Sequence, residues 1–101
     1  FRNVAATVGS QNGFVGIPMT LLSIAESTDV AVIEVGIDEP GAMIQHLDLV
    51  APTHSLLTAI GPEHLEKLID LETVAAEECL ALQIPASAGA TIVVRLDDPW
   101  I

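Results

Sequence analysis

The sequence has no tyrosine, one tryptophan and two phenylalanines, so it offers no aromatic platform on which nucleobases could stack. Basic residues are almost as scarce. Arg2, Lys67 and Arg95 stand against fourteen Asp and Glu, for a formal net charge of −11. Binding a phosphate backbone depends on clustered Lys and Arg, so nucleic acid is not an expected partner. The same deficit argues against a self-sufficient ATPase, as does the absence of the phosphate-cradling G-x-x-x-x-G-K-[ST] pattern. The nucleophile elbow G-x-S-x-G of serine hydrolases is also missing. Cys79 is the only cysteine and cannot form an internal disulfide. Its setting, AAEECLAL, reads as a buried helix face rather than a reactive thiol and fits a reducing cytoplasm. Half of the residues are hydrophobic and mean hydropathy is +0.56, yet no apolar run approaches the ~20 residues a membrane-spanning helix requires. The opening FRNVAATVGS lacks the basic start and apolar core of a secretory signal. A cytoplasmic protein without membrane partners is the expectation, folded as a single domain over residues 1–101.

What the sequence does contain is organised around residues 30–36, VAVIEVG. Val30, Ala31, Val32, Ile33 and Val35 read as a parallel strand buried on both faces, because β-branched residues without polar alternation suit the middle of a parallel sheet. Glu34 interrupts that run. It is read either as a carboxylate at the carboxyl edge of the sheet, where open α/β folds bind ligands, or as an edge residue that salt-bridges or caps the next turn. Before it, residues 3–8 form a strand candidate. The turn-rich Gly9-Ser10-Gln11-Asn12-Gly13 follows, and then a helix with Pro18 in its first turn and an apolar face of Met19, Leu21, Leu22, Ile24 and Ala25. After it, helical spacing predicts a helix over 42–49, a strand over 53–60, a helix over 71–82 broken by Pro85 and Gly89, and a strand over 90–96. In the helix over 71–82, Leu71, Val74, Ala75, Cys79 and Leu82 share a face and Glu72, Glu77 and Glu78 can point elsewhere. Strands alternating with helices imply an α/β fold: three layers, a mostly parallel, four-stranded sheet with flanking helices.

Each unusual polar group follows a strand in the same sense. Residues 9–12 follow the first, Glu34 ends the second, His64 follows the third, and Asp97 and Asp98 follow the fourth. A parallel sheet gathers such groups on one edge. Glu34 and His64 are candidate ligands for one divalent cation, magnesium or manganese. The plainer reading of His64 is a helix-start residue bonding a backbone group. His46, on a helix, and His54, opening a strand, are read as structural or exposed.

Taken together, GSQNGFVGIPMTLL, AVIEVGIDEPGAM and LLTAIGPEHLEKLIDLETVAAEE resemble the central ATPase domain of the Mur ligases, most closely the type that adds D-alanyl-D-alanine to the UDP-muramoyl peptide. The resemblance runs over residues 7–98 and rests on N-x-x-x-G-x-P, V-I-E-x-G and I-G-P-x-H-L-E in the family's order. It implies ATP-dependent amide formation in peptidoglycan precursor synthesis. A carboxylate on the acceptor is phosphorylated, and an incoming amine, an amino acid or dipeptide, attacks the acyl phosphate. It implies that Glu34 and His64 serve catalysis through magnesium, and that Thr7, Ser10 and Asn12 face the UDP-sugar substrate. It also places Arg95, Asp97 and Asp98 where the family has an N-A-D-D-like sequence near the nucleotide. The lysine that many members carbamylate aligns with Glu78, and asparagines common in the family are Ala59 and Arg95 here.

The family's phosphate loop, with its strand and helix, precedes the region matched, so the chain reads as a partial central domain rather than a complete enzyme. An apolar sheet edge left open by that arrangement is expected to pair with another copy. The alternative is a non-catalytic α/β binding or assembly domain diverged from Mur ligases. The isolated 101-residue chain is therefore expected to release no phosphate from ATP at enzyme-like turnover. Magnesium-dependent release by the purified chain that Glu34→Ala abolishes would contradict this.

Overall fold

The computed structural model describes residues 1–62, 68 and 70–101. All described strand pairings are parallel. They form two two-stranded sheets within two compact units, Phe1–Gly36 and Ile37–Ile101, in place of the single four-stranded sheet expected.

In the first unit, β1 (Val4–Ala6) pairs with β2 (Val30–Val32), with Val4 opposite Val30 and Ala6 opposite Val32. The crossover carries α1 (Gly16–Leu22). At the start of the ladder the Asp29 carboxylate accepts from the backbone N–H of Arg2 at 2.9 Å and of Asn3 at 3.1 Å, and the Asn3 amide donates to the Ser27 carbonyl at 2.8 Å. The central strand is shorter and more open than its composition predicts: it ends at Val32, which is 58% exposed, and Ala31 is exposed too. Among the described residues β2 pairs with β1 alone, and beyond Val32 the backbone bonds go to loop partners.

Helix α1 begins where expected, with Pro18 in its first turn. The buried stripe, however, is Gly16, Ile17 and Thr20 rather than the predicted apolar face. Met19 is 52% and Leu22 87% exposed, and Ile24 and Ala25 lie beyond the helix end. The cause is a close approach. A Cβ on Gly16 would collide with the Gln11 backbone, so the helix turns its narrowest side inward, and Ile17 follows into full burial.

In the second unit, α2 (Ala42–Val50) precedes β3 (His54–Leu57), and α3 (Leu71–Ser87) precedes β4 (Thr91–Val94). β3 and β4 run in parallel register from His54 opposite Thr91 to Leu57 opposite Val94. Helix α3 packs on β3, β4 and α2. The core here comprises Ile37, Ala42, Met43, Leu47, Leu57, Leu68, Val74 and Ala75. Full burial of a side chain such as Met43 or Val74 is worth about 1.5–3 kcal/mol. His46, 2% exposed, joins this core, which selects the structural reading over the exposed one; His54 opens β3 and is exposed.

Helix α3 runs past the proline expected to break it, with Pro85 inside and buried, and stops at Ala88 before Gly89, whose φ of 86° ends the turn. A proline at this point leaves the carbonyl four residues earlier, that of Ala81, without its helical donor. The hydroxyl of Ser55 on β3 donates to that carbonyl. The tertiary contact thus replaces the bond the proline removes, and the helix continues.

Ser55→Ala is accordingly expected to destabilise the chain by about 1–2 kcal/mol, since it strands a part-buried acceptor. In a Pro85→Ala background the residue-85 N–H returns to the same carbonyl, and the cost of Ser55→Ala should fall below about 0.5 kcal/mol. Urea unfolding of the four variants measures both numbers; equal costs in the two backgrounds would dismiss the coupling.

Candidate functional site

At the carboxyl end of the β1–β2 ladder three of the predicted site residues meet. The Thr7 N–H still donates to the Val32 carbonyl at 3.1 Å, extending the ladder by one bond. Its hydroxyl then accepts from the Glu34 N–H at 2.9 Å. The Asn12 side-chain amide donates to Glu34 Oε1 at 2.7 Å, and the Gly36 N–H donates to the Asn12 carbonyl at 2.8 Å. Glu34 therefore lies two residues beyond the strand, in a loop stitched to the segment that follows β1, and its carboxylate is exposed. With Oε1 taken by Asn12, Oε2 is the oxygen offered to a ligand from solvent. Ser10 is exposed in the same loop and takes no part in these bonds.

This cluster fits a hard divalent cation only as a partial shell. Among the described residues no three His, Cys, Asp or Glu side chains gather at a metal-sized spacing. One exposed carboxylate oxygen suits magnesium, which keeps most of its waters and takes the remaining oxygens from phosphates. His64, the second expected ligand, lies outside the described residues.

In the second unit the loops after β3 and β4 are joined by Asp98. Its Oδ2 accepts from the Ile60 N–H and its Oδ1 from the Trp100 N–H, each at 2.9 Å. These bonds, that to Ile60 first, hold its carboxyl below the usual value. Arg95 and Asp97, expected at a nucleotide, engage each other in a two-pronged pair, Nε to Oδ1 at 2.7 Å and a terminal nitrogen to Oδ2 at 3.0 Å. Both are exposed. Glu78 is half-buried on α3. Beside it, Cys79 is half-buried, with its sulfur 3.8 Å from the Trp100 carbonyl. Burial, then the negative charges of Glu78 and Asp98, push the thiol up, which agrees with an unreactive role.

One residue the periodicity sent outward turns inward. Glu77 Oε1 accepts from the Gly41 N–H at 2.7 Å, at the start of α2, where no local side chain caps the helix. Its Oε2 is enclosed without a hydrogen-bond partner among the described residues. The signal was the segment Asp38-Glu39-Pro40-Gly41 itself: a helix start on glycine leaves amide groups that need an acceptor from elsewhere.

Three comparisons with known proteins bear on this arrangement. The profile of the Mur ligase middle domain matches residues 2–101. The UDP-N-acetylmuramoyl-tripeptide–D-alanyl-D-alanine ligase of Escherichia coli strain K12 is 36% identical over 99 residues, 98% of this chain and 22% of that protein. Its counterpart in Bacillus subtilis strain 168 is 33% identical over 98 residues, 97% of this chain and 21% of that protein. Among solved structures, a crystal structure of MurF from Acinetobacter baumannii superposes with a TM-score of 0.88 at 21% identity, covering 97% of this chain and 21% of that one. The chain thus spans about a fifth of the length of these relatives. No described helix is long and apolar enough to cross a membrane.

The Asp98 clamp has a pH signature. Because its carboxyl titrates lower in the folded chain than the ordinary 3.8, protonation favours the unfolded chain. Its contribution is complete above the ordinary value and is lost as pH falls through the lowered one. Denaturation midpoints followed from roughly pH 6 to pH 3 should drop more steeply for the wild type than for Asp98→Asn. Parallel curves would remove the clamp from the account.

Proposed function

The chain belongs to the Mur ligase family as its middle domain, and from that premise we propose that it forms the central part of an ATP-dependent ligase joining D-alanyl-D-alanine to a UDP-N-acetylmuramoyl-tripeptide in the cytoplasm. The observation that carries the reading is the coincidence of the family match over residues 2–101 with the Thr7, Asn12 and Glu34 cluster at the carboxyl end of a parallel pair. Open α/β folds place their ligands at such an end.

In this reading the tripeptide's terminal carboxylate is phosphorylated by ATP, and the amine of the dipeptide attacks the acyl phosphate. Magnesium, when bound, would neutralise charge on the transferring phosphoryl group. Glu34 would hold it through its carboxylate, and His64 would serve a second magnesium. Asn12 and Thr7 fix the Glu34 segment, and Ser10 lies in the loop that would face the UDP-sugar. Arg95 and Asp97 would border the nucleotide once their mutual pair opens or turns as a unit. Glu78, anionic and half-buried, would supply the negative charge that a carbamylated lysine supplies elsewhere in the family. Pairing with a second copy along a sheet edge belongs to the same reading, supported by the exposure of Val4 and Val32.

The test uses the natural polypeptide that contains these residues. ADP release should require both UDP-N-acetylmuramoyl-tripeptide and D-alanyl-D-alanine, and Glu34→Ala should lower kcat by roughly 100-fold or more. Release that ignores either substrate, or survives Glu34→Ala, would overturn the reading.

A further inference from the structure

Five of the seven glycines fall into two kinds. Gly9, Gly41 and Gly89 have positive φ, at 59°, 85° and 86°, and open space where a Cβ would stand. Their need is conformational. Gly16 and Gly36 are the reverse, because neither has a positive φ and both are blocked. A Cβ on Gly16 would run into the Gln11 backbone. One on Gly36 would stand 2.8 Å from Asn12 Nδ2, 2.9 Å from its Cγ and 3.2 Å from its Oδ1. Two glycines twenty residues apart (36 − 16) therefore clear room for two consecutive residues, Gln11 and Asn12.

What that room admits is a single residue, Asn12, held once through its main chain and once through its side chain. The Asn12 carbonyl accepts from the Gly36 N–H at 2.8 Å, and the Asn12 amide donates to Glu34 Oε1 at 2.7 Å. An exposed glutamate otherwise samples several rotamers. Here one oxygen is anchored and the other is presented in a defined direction. We propose that Asn12 is a positioning residue that orients the Glu34 carboxylate toward its ligand, and that Gly36 is glycine because any side chain there would displace Asn12. This rests on the divalent-cation reading of Glu34 only for what the carboxylate is oriented toward. Partners that orient a ligand's side chain commonly contribute 10–100-fold to metal affinity.

The probe is Mn²⁺ alone, titrated into the 101-residue chain and followed by its paramagnetic resonance signal. Asn12→Ala and Gly36→Ala are each expected to weaken binding about 10-fold, and the double variant no further than either single one, because both remove the same contact. Glu34→Gln should weaken binding at least as much. Losses that multiply in the double variant, or a Gly36→Ala chain that binds as the wild type does, would overturn the proposal.

Two metal-free readouts separate this from the metal reading. In the nuclear magnetic resonance spectrum of the metal-free chain, the Asn12 side-chain amide should exchange slowly and shift in both Glu34→Ala and Gly36→Ala. In urea, Gly36→Ala should lower the unfolding midpoint in the wild type and much less in Asn12→Ala. If Glu34→Gln leaves Mn²⁺ affinity unchanged, the metal reading falls alone, and these two readouts decide on Asn12. An Asn12 amide indifferent to both substitutions, or an equal midpoint loss in both backgrounds, overturns its positioning role.

Discussion

Short parallel ladders leave backbone N–H groups without partners just beyond their last rung, and the chain depends on side chains to meet them. β1 and β2 share three residue pairs and β3 and β4 four. Beyond the first, the Thr7 hydroxyl takes the Glu34 N–H; beyond the second, Asp98 takes those of Ile60 and Trp100. The same requirement explains Asp29 at the start of the first ladder and Asp70 at the start of α3, which accepts from the Thr73 N–H at 2.8 Å. Unmet, each such group where buried would cost as much as a lost hydrogen bond. The site is thus an outcome of strand termination, with Glu34 held in place by the bonds that end its strand.

This also accounts for how a chain of net charge −11 folds with three cations. Among the described residues, several carboxylates are directed at backbone amides. Asp29, Asp70, Asp98 and Glu77 all accept from main-chain N–H groups, and only Arg95 with Asp97 is described as a salt bridge between side chains. An amide partner adds no charge, so the surplus negative field remains. A divalent cation at Glu34 would find that field favourable.

Helix α3 illustrates a second way in which long-range contacts override local preference. Pro85 argues for a helix end, and the chain around it would end there in isolation. Ser55, thirty residues earlier (85 − 55), supplies the missing donor, and the helix extends to Ser87. Likewise the spacing lets Glu77 point away from the core, yet its carboxylate reaches the uncapped start of α2. That it turns inward follows from where another helix begins.

The order of strands and helices, their parallel sense, the placement of Pro18 and the gathering of Asn12 with Glu34 beyond strand ends were all legible from the residues, while Thr7 entered only through the family resemblance. Turn chemistry and apolar spacing act within a few positions of the chain, and N-x-x-x-G-x-P with V-I-E-x-G marks the family without reference to space. Strand lengths, the inward face of α1, the course of α3 through Pro85 and the partners of Glu77 and Asp98 were decided only in three dimensions. Each depends on a contact that local pattern does not specify: the pairing of β2 with β1 alone among the described strands, the Gln11 backbone against Gly16, a hydroxyl from β3, an amide at Gly41 or Ile60. Local pattern can say that a polar group needs a partner. Which distant atom becomes that partner is settled by packing.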